Sequence, residues 1–132
     1  MNDEQYEAQK ARVQALIDAW VKPLGLSWWR WRTEWHREPI PDAEGAIFEI
    51  LVRFDYHDVR LDVCAPKVAD LTDENREWAF VHELCHVLTI PLKDGVARGL
   101  EGDGLSFLEE HQASAIADSL IWFRDHLTAP KE

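Results

Sequence analysis

With 132 residues, 46% hydrophobic and 30% charged, the chain suits one folded domain with its own core rather than a disordered tail. Its formal charge of −11 argues against general nucleic-acid binding, which draws on clustered Lys and Arg, and leaves room for basic partners or a divalent cation. No apolar run approaches bilayer length, the opening MNDEQYEAQK is unlike a secretion signal, and two cysteines are too few for a disulfide framework. No membrane partner is therefore expected, and the expected location is cytoplasmic.

Asp3–Val21 reads as a helix. Tyr6, Val13, Leu16, Ile17 and Trp20 make an apolar stripe, and Asp3, Glu4 and Glu7 sit where the helix dipole favours negative charge. Pro23 and Gly25 stop it. Leu26–His36 then alternates, with Trp29, Trp31, Thr33 and Trp35 on one face and Trp28, Arg30, Arg32, Glu34 and His36 on the other. That is a strand with one aromatic face, better explained as core than as a ligand platform. Arg37–Gly45 carries Pro39 and Pro41 and reads as a loop.

Ala46–Asp55 is a second strand with Ala46, Phe48, Ile50, Val52 and Phe54 inward. Val59–Cys64 is a third, with Val59, Leu61 and Val63 inward. The short link Asp55–Asp58 predicts a hairpin, and hence an antiparallel meander. Ala65–Leu71 is expected to be a loop, and Thr72 the N-cap of the next helix. Thr89–Gly104, with one Pro and four Gly, is a connector or a candidate lid. Ser106–Leu127 is the last helix, with Ser106 and Glu109 spaced as a capping box. The expected fold is α+β: an N-terminal helix, a small three-stranded, mainly antiparallel sheet, and two further helices, all in one domain over 1–132.

The chemistry concentrates in Trp78–Leu88, WAFVHELCHVL, which contains H-E-x-x-H. Trp78, Val81, Leu84, Cys85 and Leu88 are apolar at helical spacing, so His82 and His86 lie one turn apart on one face. Two imidazoles so placed fit two corners of a tetrahedral zinc site. Glu83, about 100° further round the helix, stands beside such an ion and suits a general base.

A catalytic zinc needs a third protein ligand and an open position. The candidates are Glu110, His111, Glu109, Cys64 and the acids of the 94–103 segment. Glu110 is favoured, because it lies one turn into a helix and shares a face with Ala113, Ser114, Ala117 and Ile121, whose small members allow close approach. Ser114 can donate to Glu110 or accept from a ligating imidazole. His111 points about 100° away and is the main alternative. Cys85, on the opposite flank of the histidine pair from Glu83, is expected to be a buried thiol packed against the sheet.

HELCH followed by a helix beginning EEHQASAIADSL resembles the gluzincin metallopeptidases. The short chain and its element order look most like the minimal single-domain members, the minigluzincins. Glu110-x-x-Ala113-Ser114-x-x-Ala117 is also similar to the glutamate helix of the ImmA/IrrE-type peptidases. The resemblance spans roughly residues 46–121. It implies a zincin-like fold, zinc ligands His82, His86 and Glu110, and Glu83 as the base. The chain departs from the pattern at Ser114, where Asp or Asn usually follows the ligand by four, and shows no clear Tyr or His downstream to stabilise an oxyanion.

The expected activity is zinc-dependent hydrolysis of a peptide or protein substrate, held extended along the exposed sheet edge. Two rivals stand beside it: a zinc-bearing regulatory or interaction module with little peptidase activity, and a metal-free structural domain. The sequence leaves the oligomeric state open.

Overall fold

A computed structural model of the chain describes residues 1–53, 56–89 and 103–127, with side chains in the last stretch described over 110–126. Its class is α+β, with four helices and one three-stranded sheet among the described residues. None of these helices is long and apolar enough to cross a membrane. The chain divides into two compact units, Met1–Phe80 and Val81–Glu132.

The first unit opens with helix α1, Asp3–Trp20. Its N-terminus is closed by a reciprocal capping box: Asn2 Oδ1 accepts from the Gln5 amide at 2.8 Å, and Gln5 Oε1 accepts from the Asn2 amide at 2.9 Å. The exit is a Schellman closure. The Leu26 amide donates to the Val21 carbonyl and the Gly25 amide to that of Lys22, both at 2.9 Å. This turn needs positive φ, and Gly25 supplies it at 72°. It also consumes residues expected in the first strand, so β1 is shorter than predicted, Arg30–His36.

Strand β2 is Phe48–Arg53 and β3 is Asp58–Cys64. They pair antiparallel, Phe48 opposite Val63 and Arg53 opposite Asp58, as the short link requires. The meander, however, is not formed. The order is β1-β3-β2, with β1 parallel to β3 from Arg30 opposite Asp58 to His36 opposite Cys64. The sheet is mixed. Burial supplies the reason: β3 is the most buried strand, with Val59, Leu61 and Val63 at 0–1% exposure, and the centre is where such a strand is best covered. Segment 37–47 carries the chain past the end of β3 to the far edge.

Among the described residues the inward positions follow the alternation read in each strand, Phe54 lying outside them, and Trp29 is buried as expected while Trp28 is exposed. Helix α2, Ala65–Ala69, replaces an expected loop. Pro66 suits the helix's first turn, where its missing N–H leaves no bond unmade. Helix α3, Asp73–Leu88, begins where predicted: Thr72 Oγ1 accepts from the Asn75 amide at 3.2 Å. Its first half stays in this unit, where the Phe80 ring meets Phe48 edge-on at 5.8 Å and Trp20 Nε1 donates to Glu77 at 3.0 Å.

Leu61, at 0% exposure in the central strand, is the test of this core. Leu61→Ala is expected to cost about 2–5 kcal/mol, through lost transfer energy and a residual cavity, measured by denaturant unfolding. A cost under about 1 kcal/mol would mean that the strand is not central to the core.

The second unit contains the rest of α3 and helix α4, Asp103–Leu127. Helix α4 begins a turn before Ser106, which is therefore an internal residue and not the predicted N-cap. Gly104, read as loop, sits in the first turn, where its helix-breaking cost is small. Val81, Leu84, Cys85, Val87, Ala113 and Ala117 are buried, so each helix presents an apolar face with its small or branched residues inward.

Candidate metal centre

Helix α3 holds His82 and His86 one turn apart, their rings 5.0 Å between centroids and inclined at 77°. The neighbours of this pair, Val81, Leu84, Cys85 and Val87, are buried, which fixes the roll of the helix about its axis. The imidazoles are thereby left at the boundary, each with 12–13% of its side chain exposed. Their Nε2 atoms lie 3.3 Å apart.

Glu110 enters from α4. Its Oε2 is 3.1 Å from His82 Nε2 and its Oε1 is 3.2 Å from His86 Nε2, while the side chain keeps 63% of its surface exposed. Ala113, one turn along α4, is fully buried, and a side chain with no more than a methyl lets the helix carrying Glu110 come close. Among the described residues, His82, His86 and Glu110 form a group of His, Cys, Asp or Glu side chains compact enough to hold a metal ion.

The spacing can be tested against the ion expected from the donor set. Tetrahedral zinc with metal–nitrogen distances of about 2.0–2.1 Å separates its ligand atoms by about 3.3–3.4 Å. The Nε2–Nε2 separation, 3.3 Å, matches that edge, each Nε2 has one Glu110 oxygen at 3.1 or 3.2 Å, and one ligand atom from each of the three residues lies within 4.8 Å of the others. Two neutral imidazoles and one carboxylate also make a common zinc donor set. The residues fit the ion.

Ser114 completes the arrangement. Of the two roles open to it in the sequence, the structure places it on the imidazole: Ser114 Oγ is 3.2 Å from His82 Nδ1. If Nε2 faces a metal, Nδ1 carries the proton and donates to the hydroxyl oxygen, which fixes both tautomer and ring orientation. Asp or Asn would make that hydrogen bond charged or amide-based; the serine makes a weaker neutral one.

Glu83 is half-buried beside His82 on the same helix. His111 is exposed and is not part of the cluster. Cys64 is not part of it either; its buried thiol lies 3.6 Å from the Glu38 carbonyl, to which it donates. Burial pushes the Cys85 thiol up from 9.0 to about 12, so it stays protonated and is a poor ligand. The side chains of Asp103 and Glu109, the acids at 94 and 101, and residues 90–102 of the candidate lid Thr89–Gly104 lie outside the described residues. The sequence reading missed no member of this cluster, although it did not anticipate that each imidazole faces its own carboxylate oxygen. Comparison with protein-family models, with curated proteins and with solved structures finds no match to this chain.

Proposed function

We propose that the chain is a zinc-dependent metallopeptidase, with His82, His86 and Glu110 holding the ion and Glu83 as general base. The observation that carries this reading is the convergence of the three side chains at ligand-to-ligand spacing, with an acid next in sequence to the first histidine.

Zinc bound there would polarise a peptide carbonyl and lower the pKa of water to about 7. The chain's own residues do the rest. The Glu83 carboxylate takes the proton of the attacking water and passes it to the leaving amine nitrogen. His82 is kept in one tautomer by Ser114 through Nδ1, leaving Nε2 as a lone-pair donor. The exposed Glu110 leaves one side of the cluster accessible to solvent, and hence to substrate.

The test is elemental analysis of protein purified without added metal, followed by incubation with unfolded casein and a peptide library, with and without chelator. Expected are stoichiometric zinc and cleavage that chelation abolishes and zinc restores. Zinc without cleavage of any substrate would replace the peptidase by a zinc-bearing interaction module. Protein free of metal that takes up none on addition would overturn both.

A further inference from the structure

The outer face of the sheet carries a second feature, independent of the metal centre. Arg30 and Arg32 on β1, Arg60 on β3 and Arg53 on β2 all project from it, four of the nine arginines in a chain of net charge −11. Together with Asp58 and Leu51 they line a shallow trough of about 650 Å³. Arg32 and Arg60 are register partners, directly opposite on adjacent strands. Like charges in that relation are destabilising, and an acidic protein gains no solubility from a basic cluster.

Structural pairing within the face accounts for part of the charge. Asp58 takes Arg30 Nε at 2.8 Å and also receives Arg53, while Arg32 Nε meets Glu34 at 3.2 Å and Arg60 Nε donates to Asp62 at 2.9 Å. Among the described residues, Arg32 and Arg60 thus engage protein through Nε alone, and their terminal amines have no protein partner. Those amines are the fork that grips a carboxylate with two parallel hydrogen bonds. The Arg32 side chain is 67% exposed and that of Arg60 40%, so both can be reached.

We propose that this trough docks an extended peptide segment with acidic side chains at alternate positions. Arg30 and Arg32 are two residues apart on one strand, a spacing of about 6.6–6.8 Å, and alternate residues of an extended peptide repeat at the same distance. A peptide running along β1 therefore offers one carboxylate to the open fork of Arg32 and the next to Nη1 of Arg30, whose Nε stays on Asp58 and whose Nη2 donates to the Tyr56 carbonyl at 2.7 Å. Arg53, also in the lining, lies 5.0 Å over the exposed Tyr56 ring. A long polyanion is a worse fit. Outside the trough it meets the repulsion of the −11 charge, whereas a short acidic segment feels only charges within a Debye length of about 8 Å.

The test is titration of the full chain at low salt with an alternating Glu-Thr octapeptide, followed by amide chemical shifts and tryptophan fluorescence. Saturable shifts are expected at residues 30–32, 51–53 and 58–60, weakening as salt is added. Arg32→Glu with Arg60→Glu should cut affinity roughly tenfold or more, since each removes a charged pair and adds repulsion. Lys22→Glu, the same change of sign made once at an exposed lysine outside the trough's lining, should leave it within about twofold. Should the double variant misfold, Arg32→Gln alone tests the same contact at an exposed site and should cut affinity several-fold. Equal binding of a Gln-Thr octapeptide, shifts confined to other residues, or tighter binding of a single-stranded oligonucleotide of matched charge would each overturn the proposal. Because no readout involves metal or turnover, failure here leaves the peptidase proposal standing, and the reverse.

Discussion

Glu83→Gln is expected to retain zinc at the wild-type level and to lose peptide hydrolysis by about 10²–10⁴-fold in kcat. The amide keeps the size and helical position of the acid and cannot accept a proton. Glu83 is not among the converging ligand atoms, so metal content should not move. The pairing of readouts is what makes the result informative. Loss of zinc together with activity would make Glu83 a ligand or a structural prop, and unchanged activity would remove it from the mechanism. The pH profile adds a second check, because the acidic limb of kcat/KM in the wild type reports the free-enzyme base and should vanish from any residual activity of the variant.

Glu110→Ala and His111→Ala should separate by metal content. Removing Glu110 takes away one of three protein ligands and strands two imidazoles 3.3 Å apart with no carboxylate between them. Zinc affinity should fall by well over the 10–100-fold typical of losing a partner that merely orients a ligand. His111 is exposed on a neighbouring face of α4, and its removal should leave zinc content at the wild-type level. The measurement is zinc per chain after equilibration against a competing chelator. Equal losses in the two variants would mean that the cluster does not act as the ligand set. Ser114→Ala belongs between them, since it frees the His82 ring without removing a donor.

What the sequence made legible was set by range. His82 and His86 were placed on one face by a local rule, the helical repeat, and the apolar residues around them fixed which face. Glu110 was favoured over His111, which stayed open as the alternative, because a helix divides neighbours by about 100° and only one of the two shares its face with small residues. The strands were legible singly, as the inward Val59, Leu61 and Val63 show. Their order was not. Placing β3 between β1 and β2 depends on which strand gains most from the central position, a comparison across the chain that alternation within one strand does not contain. The same limit hid the arginine trough. Arg30 and Arg32 read as one strand's outer face, and only the pairing of Arg32 with Arg60 gathers them into a cluster. At shorter range, α2 was missed because five residues are too few for periodicity and Pro66 reads as a breaker unless the helix start is already known.

The two histidines and Glu110 are separated by 28 and 24 positions of chain, yet their side chains meet. An ion gripped by all three would cross-link α3 to α4, closing the intervening stretch as a staple does and making the opened form of this unit entropically poorer. Thermal endurance of Val81–Glu132 would then track the free concentration of the ion, growing as RT ln(1 + [M]/Kd). Scarcity of the metal would loosen the last helix before it touched the sheet, so that a cell's zinc supply would govern how long the protein survives as well as what it can cut.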